Sequence, residues 1–199
     1  MRIPEHGTEE KTIFQKLGVY QSRDLDWRQG RIMGYVYHAG KAAEEVGKKA
    51  YMMFLMENAL DPTVFQSLLQ LENELVAMAA SHVNGDANVV GNFTSGGTES
   101  ILLAVKTARD YFRHHRPEIK TPEMIMPMTA HAAFFKAAAY FDVKAVQVPV
   151  QSNSFRADAE KIKAAINDNT ILLVGSAPAY AHGVIDPIPE IGGLALQHG

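Results

Sequence analysis

The densest chemistry in the chain lies in Thr94-Ser95-Gly96-Gly97-Thr98-Glu99-Ser100. Adjacent glycines let a backbone come close to a ligand and take positive φ where a turn requires it. The string opens a segment with helical spacing over residues 98–114. The first turn of a helix leaves several N–H groups unpaired, at the positive end of the helix dipole. With hydroxyls at Ser95, Thr98 and Ser100, these features outline a phosphate site. They equally describe ordinary helix capping, with Thr98 as the cap and no ligand, and spacing alone does not separate the two. The string is neither the dinucleotide fingerprint nor a Walker loop, since no lysine follows the glycines.

A second chemical group is His131, which follows a short apolar run and heads Ala132-Ala133-Phe134-Phe135-Lys136-Ala137-Ala138-Ala139-Tyr140. This places it at a strand-to-helix turn, the position that lines the ligand crevice in open α/β sheets. An imidazole there can stack on an aromatic ring or move a proton. It can also simply cap its helix or face solvent.

The elements that must position these groups follow from periodicity. Helical spacing is found at residues 41–57, 62–82, 98–114, 130–141, 157–167 and 189–197, and in part of 8–30. Asp61-Pro62 predicts an N-cap followed by proline at the first helical position, and Asn84-Gly85-Asp86 ends that helix. Short apolar runs at 124–128, 145–150 and 171–175 predict strands covered on both faces. Strands alternating with helices predict an α/β fold around a mostly parallel sheet. The chain closes on Gln197-His198-Gly199 directly after a predicted helix, an ending that reads as interrupted at the C-terminal side.

Composition bounds the rest. The 199 residues are 47% hydrophobic and 21% charged with a net charge of −3, an ordinary globular balance that favours neither nucleic acid nor an anionic membrane. There is no cysteine, so disulfides, a thiol nucleophile and a thiolate metal site are excluded, and no metal is expected. No apolar run approaches the ~20 residues of a membrane span, and residues 1–11 lack a signal peptide's apolar core. A cytoplasmic chain is expected.

Taken together, Thr94 to Leu102, then His131-Ala132-Ala133-Phe134 with Lys136-Ala137-Ala138, then His182-Gly183-Val184-Ile185-Asp186-Pro187, resemble the sphingosine-1-phosphate lyases. These belong to the group II decarboxylase-like branch of fold-type-I pyridoxal-phosphate enzymes. The resemblance runs from about Gly30 to the end. Glutamate and aromatic amino acid decarboxylases carry variants of the Ser-Gly-Gly-Thr-Glu-Ser string, so it narrows the branch better than the substrate.

The resemblance implies a fold-type-I large domain, begun by residues 61–199, with residues 1–60 as an N-terminal segment contributing to the active site and to a homodimer with a shared site. It implies pyridoxal 5′-phosphate as cofactor, its phosphate held by Ser95, Gly96, Gly97 and Thr98 and its ring stacked by His131. Tyr37 and His131 would be catalytic, and Asn58 and Tyr180 would bind substrate. The implied reaction cleaves a phosphorylated sphingoid base to a long-chain aldehyde and phosphoethanolamine. An amino-acid decarboxylase of the same branch, or a catalytically inactive fragment, are the alternatives. The Schiff-base lysine and the aspartate that pairs the pyridine nitrogen would lie further along, since Lys106, Lys120, Lys136 and Lys144 do not match the lysine motif and Asp186 belongs to a structural turn. One departure stands out. Where the family resembles Asn-Pro-Leu-His-Pro, this chain reads Asn58-Ala59-Leu60-Asp61-Pro62, placing a carboxylate where a histidine would help at a phosphate.

Overall fold

A computed structural model describes residues 3–32 and 34–199. Met1, Arg2 and Met33, the last in the short segment between Gly30 and Gly34, lie outside the described residues. The chain divides into two compact units, Met1–Glu57 and Asn58–Gly199.

The first unit holds helices α1 (Glu10–Gln21) and α2 (Lys41–Met53) and a single 3-10 turn at Trp27–Gln29. Neither helix has a buried residue. Its polar contacts centre on one carboxylate of α2. Glu44 accepts from Arg28 (3.4 Å), His38 (3.2 Å) and Lys48 (2.9 Å), and Arg28 lies 4.3 Å over the Trp27 ring. The Lys48 and His38 hydrogen bonds pull the Glu44 carboxyl down to about 2.

The second unit begins with α3 (Gln66–His82), four residues after the expected start. The reason is local. Asp61 accepts from Thr63 N–H (2.8 Å) and Thr63 Oγ1 (2.6 Å), closing an Asx-type turn over 61–64 that competes with the helix. Asp61 therefore does not cap the helix as expected: Phe65 takes the N-cap position, with no side-chain cap. After α3 the chain reverses at Asn84, which takes φ 56°. Residues 83–93 then pack back on the helix, with Phe93 N–H donating to Glu72 at 2.8 Å.

The remainder is a layered α/β unit. Helix α4 (Gly97–His115) leads through residues 116–122 into β1 (Glu123–Pro127). Then follow α5 (Ala132–Phe141), β2 (Lys144–Val148), α6 (Ala159–Ala165), β3 (Thr170–Leu173) and α7 (Ile188–His198). The α4 helix has Glu99 in its first turn and Arg113, His114 and His115 in its last, matching both ends of its dipole. The three-stranded sheet has order β2-β1-β3 and both pairings are parallel. Successive β1 side chains point to opposite faces. Met124 and Met126 join Val105 of α4 and Ala137 and Ala138 of α5 on one side. Ile125 joins Ile162 of α6 and Ile191 and Leu194 of α7 on the other.

Only β1 is buried along its whole length. The expectation that every strand is covered on both faces fails at β2, whose Lys144 and Gln147 are exposed. It is an edge strand, and polar residues there keep the edge from pairing further. Helix α6 is shorter than the pattern predicted because Ala157 is drawn into an antiparallel bridge with Val150. At the start of the strands, buried Glu123 accepts from Lys144 of β2 and from Asn167, just ahead of β3, each at 2.8 Å, beside the register shift of the β1–β3 pairing at Glu123/Met124.

Candidate active site

The sheet order decides where ligands can gather. The link after β1 runs to α5 on one face, whereas the link after β3 runs to α7 on the other. Adjacent strands whose outgoing links part to opposite faces leave a crevice at their C-terminal ends, the switch point of an open α/β sheet. His131 follows β1 and Tyr180 follows β3. Their rings meet across that crevice, with centroids 5.9 Å apart and planes at 52°.

The structure gives His131 the capping role and leaves its ring exposed. Its Nδ1 accepts from Ala133 N–H at 3.1 Å, making it the N-cap of α5. With Nδ1 engaged as an acceptor, the neutral ring carries its proton on Nε2. The ring itself is exposed. In the same turn, Thr129 Oγ1 is buried without a hydrogen-bond partner among the described residues.

The glycine turn starts α4, which packs on the same face of the sheet as α5. Because α4 leads into the start of β1 and α5 leaves its end, both helices begin at the C-terminal edge of the sheet. The backbone does not need glycine here. Gly96 has φ 162°, an extended value open to any residue, and Gly97 is helical. The left-handed conformation held possible for these glycines is not used. A Cβ built on either would meet nothing within 4 Å, so the turn opens outward. Among the described residues, the N–H groups of Gly97 and Thr98 meet no acceptor. Ser95 differs: its N–H and Oγ both donate to Glu99 Oε2 at 2.7 Å. Those two bonds, the hydroxyl one first, hold the Glu99 carboxyl below the usual carboxylate range. Thr94 Oγ1 and Ser100 Oγ are paired at 2.7 Å. Glu99 is thus the residue that sequence reasoning missed; a glutamate at N3 signals a capping box, and here it reaches one residue further, to Ser95 ahead of the Gly96 N-cap.

The remaining expected residues are placed as follows. Asn58 Oδ1 accepts from Leu60 N–H at 3.1 Å in an exposed turn of the second unit. Tyr37 lies in the first unit, in an irregular segment before α2, and is 89% exposed. Lys106 pairs with Asp110, Lys120 with the Pro117 carbonyl and Lys144 with Glu123, while Lys136 lies over Tyr140. A cavity of about 270 Å³ lined by Phe112, Arg116, Asn167, Leu173 and His198 runs along β3 between the C-terminal ends of α4 and α7, and no residue named for chemistry lines it. No group of His, Asp and Glu suited to a metal ion occurs among the described residues, and no helix there is long and apolar enough to cross a membrane.

A parallel sheet with helices packed on both faces and a switch point between β1 and β3 is the fold-type-I α/β architecture, and residues 72–199 match the aminotransferase class-V family model. The chain belongs to that family. Within it, the similarity is to sphingosine-1-phosphate lyases. The chain is 46% identical to the Oryza sativa subsp. japonica enzyme over 98% of this chain and 37% of that protein. It is 43% identical to sphingosine-1-phosphate lyase 1 of Rattus norvegicus over 98% of this chain and 34% of that protein. The solved sphingosine-1-phosphate lyase of Burkholderia pseudomallei superposes with TM-score 0.90 at 32% identity, covering 100% of this chain and 47% of that one. Glutamate decarboxylase of Lactobacillus brevis, at 19% identity and TM-score 0.79, shares the fold. The chain spans about a third of the length of the curated relatives it matches.

Proposed function

We propose that the enzyme carrying these residues is a pyridoxal-phosphate-dependent carbon–carbon lyase acting on a phosphorylated sphingoid base. The carrying observation is the open, unpaired N-terminus of α4 at the same sheet edge as the His131–Tyr180 pair. The donor set suits a phosphate ester: free amides at Gly97 and Thr98, the positive end of a helix, and no side chain closing the turn. The similarity to sphingosine-1-phosphate lyases supports the substrate class.

The amides of Gly96, Gly97 and Thr98 would hold the cofactor phosphate, with Ser95 shaping the turn through Glu99. His131, its ring plane set by the Nδ1 cap, would cover one face of the pyridine ring. Tyr180 would lie on the substrate side of that imidazole, with Asn58 as a further substrate contact. Tyr37 would receive the proton of the substrate 3-hydroxyl. When bound, pyridoxal phosphate supplies the electron sink that lets the bond between the second and third substrate carbons break, releasing a long-chain aldehyde and phosphoethanolamine. The same reading carries a cytosolic location and a homodimer whose two chains share the site. Supporting the dimer are exposed apolar side chains, Phe14, Tyr51, Met52 and Met53 in the first unit and, separately, Leu75 and Met78 on α3 of the second, each a set that a second copy would cover.

The test measures aldehyde release from a phosphorylated sphingoid base alongside carbon dioxide release from amino acids, by the enzyme that carries these residues. Aldehyde is expected. Carbon dioxide without aldehyde would move the assignment to a decarboxylase.

A further inference from the structure

Tyr180 sits in the link between β3 and α7, residues 174–187, and is 66% exposed. A long exposed link would not by itself keep a ring facing His131. What holds it is underneath. Asp186 is only 1% exposed, and its two carboxylate oxygens accept from different links. Oδ1 takes Ala157 N–H at 2.7 Å, from the link after β2, and Oδ2 takes Ser176 N–H at 2.8 Å, at the start of the Tyr180 link. Asp186 N–H in turn donates to the Ser176 carbonyl at 2.9 Å, so the neck of the link is closed from both sides. Within it, Ala179 N–H donates to Val184 O at 2.8 Å and Gly183 N–H to Ala179 O at 2.9 Å, making a tight hairpin with Tyr180 as the first residue of its loop.

Two further ties bind the hairpin to the β2–α6 link. Arg156 Nε donates to the Ile185 carbonyl at 2.7 Å. The Phe155 and His182 rings stack with centroids 5.2 Å apart, and Phe155 does this from a φ of 56°, a conformation that bulky residues adopt only when their surroundings enforce it. A buried carboxylate with both oxygens taken by backbone N–H groups of separate links is a fixed joint, because breaking either bond leaves a buried polar group unpaired.

We propose that Asp186 is a positioning residue: by joining the β2–α6 and β3–α7 links it holds the Tyr180 ring against His131. Its consequence for the reaction rests on the function proposed above, whereas the geometry itself does not. Arg156 and Phe155 act in the same joint as outer ties.

The test reads the ring pair directly. Aromatic proton spectra of the 199-residue chain, free of cofactor, give the Tyr180–His131 ring cross-peaks, and thermal melts follow the fold. Asp186→Asn keeps the side-chain shape but faces one N–H with an amide. The expected result is a cooperative melt with the ring cross-peaks reduced at least about fivefold. A folded Asp186→Asn chain with unchanged cross-peaks overturns the proposal. Where that variant does not fold, the surface double variant Phe155→Ala with Arg156→Gln carries the test: weakened cross-peaks support the joint, and unchanged ones overturn it. The aldehyde assay separates the two readings: carbon dioxide without aldehyde from the enzyme that carries these residues, with the ring cross-peaks of the 199-residue chain intact, would sink the proposed function and leave this inference standing.

Discussion

Replacing Gly96 and Gly97 by alanine separates fold from ligand. Neither glycine has a backbone conformation that requires it, and a Cβ on either meets nothing within 4 Å. Gly97→Ala should leave the fold intact or gain up to about 0.5–1 kcal/mol, the usual advantage of alanine over glycine in a helix. A phosphate seated on the amides of Gly97 and Thr98 would feel the new methyl at once. A hydrogen bond to a charged group contributes about 1.5–3 kcal/mol, and forcing the phosphate outward by the width of a methyl costs at least one of them. At about 1.4 kcal/mol per tenfold, pyridoxal phosphate affinity should fall by roughly 10- to 150-fold. Equilibrium dialysis of pyridoxal phosphate, with pyridoxal as the phosphate-free control and melts run in parallel, measures both effects. Unchanged affinity in Gly97→Ala and Gly96→Ala refutes the cradle. A lowered melting temperature without ligand refutes the claim that the fold does not need these glycines.

His131→Asn keeps an N-cap acceptor for α5 and should melt within about 0.5 kcal/mol of wild type, whereas His131→Ala should lose about 1 kcal/mol. Both should weaken pyridoxal phosphate binding severalfold, as dialysis will show, since ring stacking contributes about 0.5–1.5 kcal/mol. Glu123→Gln should cost about 1–2 kcal/mol, set mainly by the Asn167 bond because Lys144 is 67% exposed and an exposed ion pair adds at most about 1 kcal/mol. The Asn167 and Lys144 bonds lower the Glu123 carboxyl, so its contribution is present at neutral pH and lost as pH falls through its lowered range. Urea melts from about pH 7 to about pH 3 should show wild type converging on Glu123→Gln. Gly175→Ala would place a Cβ 2.8 Å from Ile188 Cδ1 and 3.0 Å from Ile191 Cδ1. Ile188 is partly exposed and can yield, so a loss near 1 kcal/mol is expected in thermal denaturation.

What could be read in advance was local. The α/β alternation after residue 97 follows from apolar runs and helical periods, each decided within a dozen residues. The glycine turn and His131 carry their signals in neighbouring residue types. The pairing of His131 with Tyr180 does not, because it depends on β3 lying beside β1, and that order is a property of the whole sheet. The Glu123–Asn167 bond and the Asp186 joint escape local reading for the same reason. The start of α3 misleads differently. Asp61-Pro62 is a good helix opening by propensity, yet the Asp61–Thr63 bonds close a turn of their own first.

Capping and phosphate binding looked like rival accounts of the glycine turn, and the geometry leaves room for both. Glu99 takes the two donors of Ser95 and Ser100 pairs with Thr94, so these four side chains of the turn are engaged with one another. The amides of Gly97 and Thr98 stay free and point outward from a turn whose shape no ligand has to create. A site already in its binding conformation loses little ordering entropy when the ligand arrives. The same economy appears at the other wall of the crevice. His131 is fixed by its own cap and Tyr180 by a joint buried beneath it, so both rings are set by bonds that make no use of the ligand-facing surface. The parts that would touch a cofactor are exposed, and the parts that orient them are capped or buried.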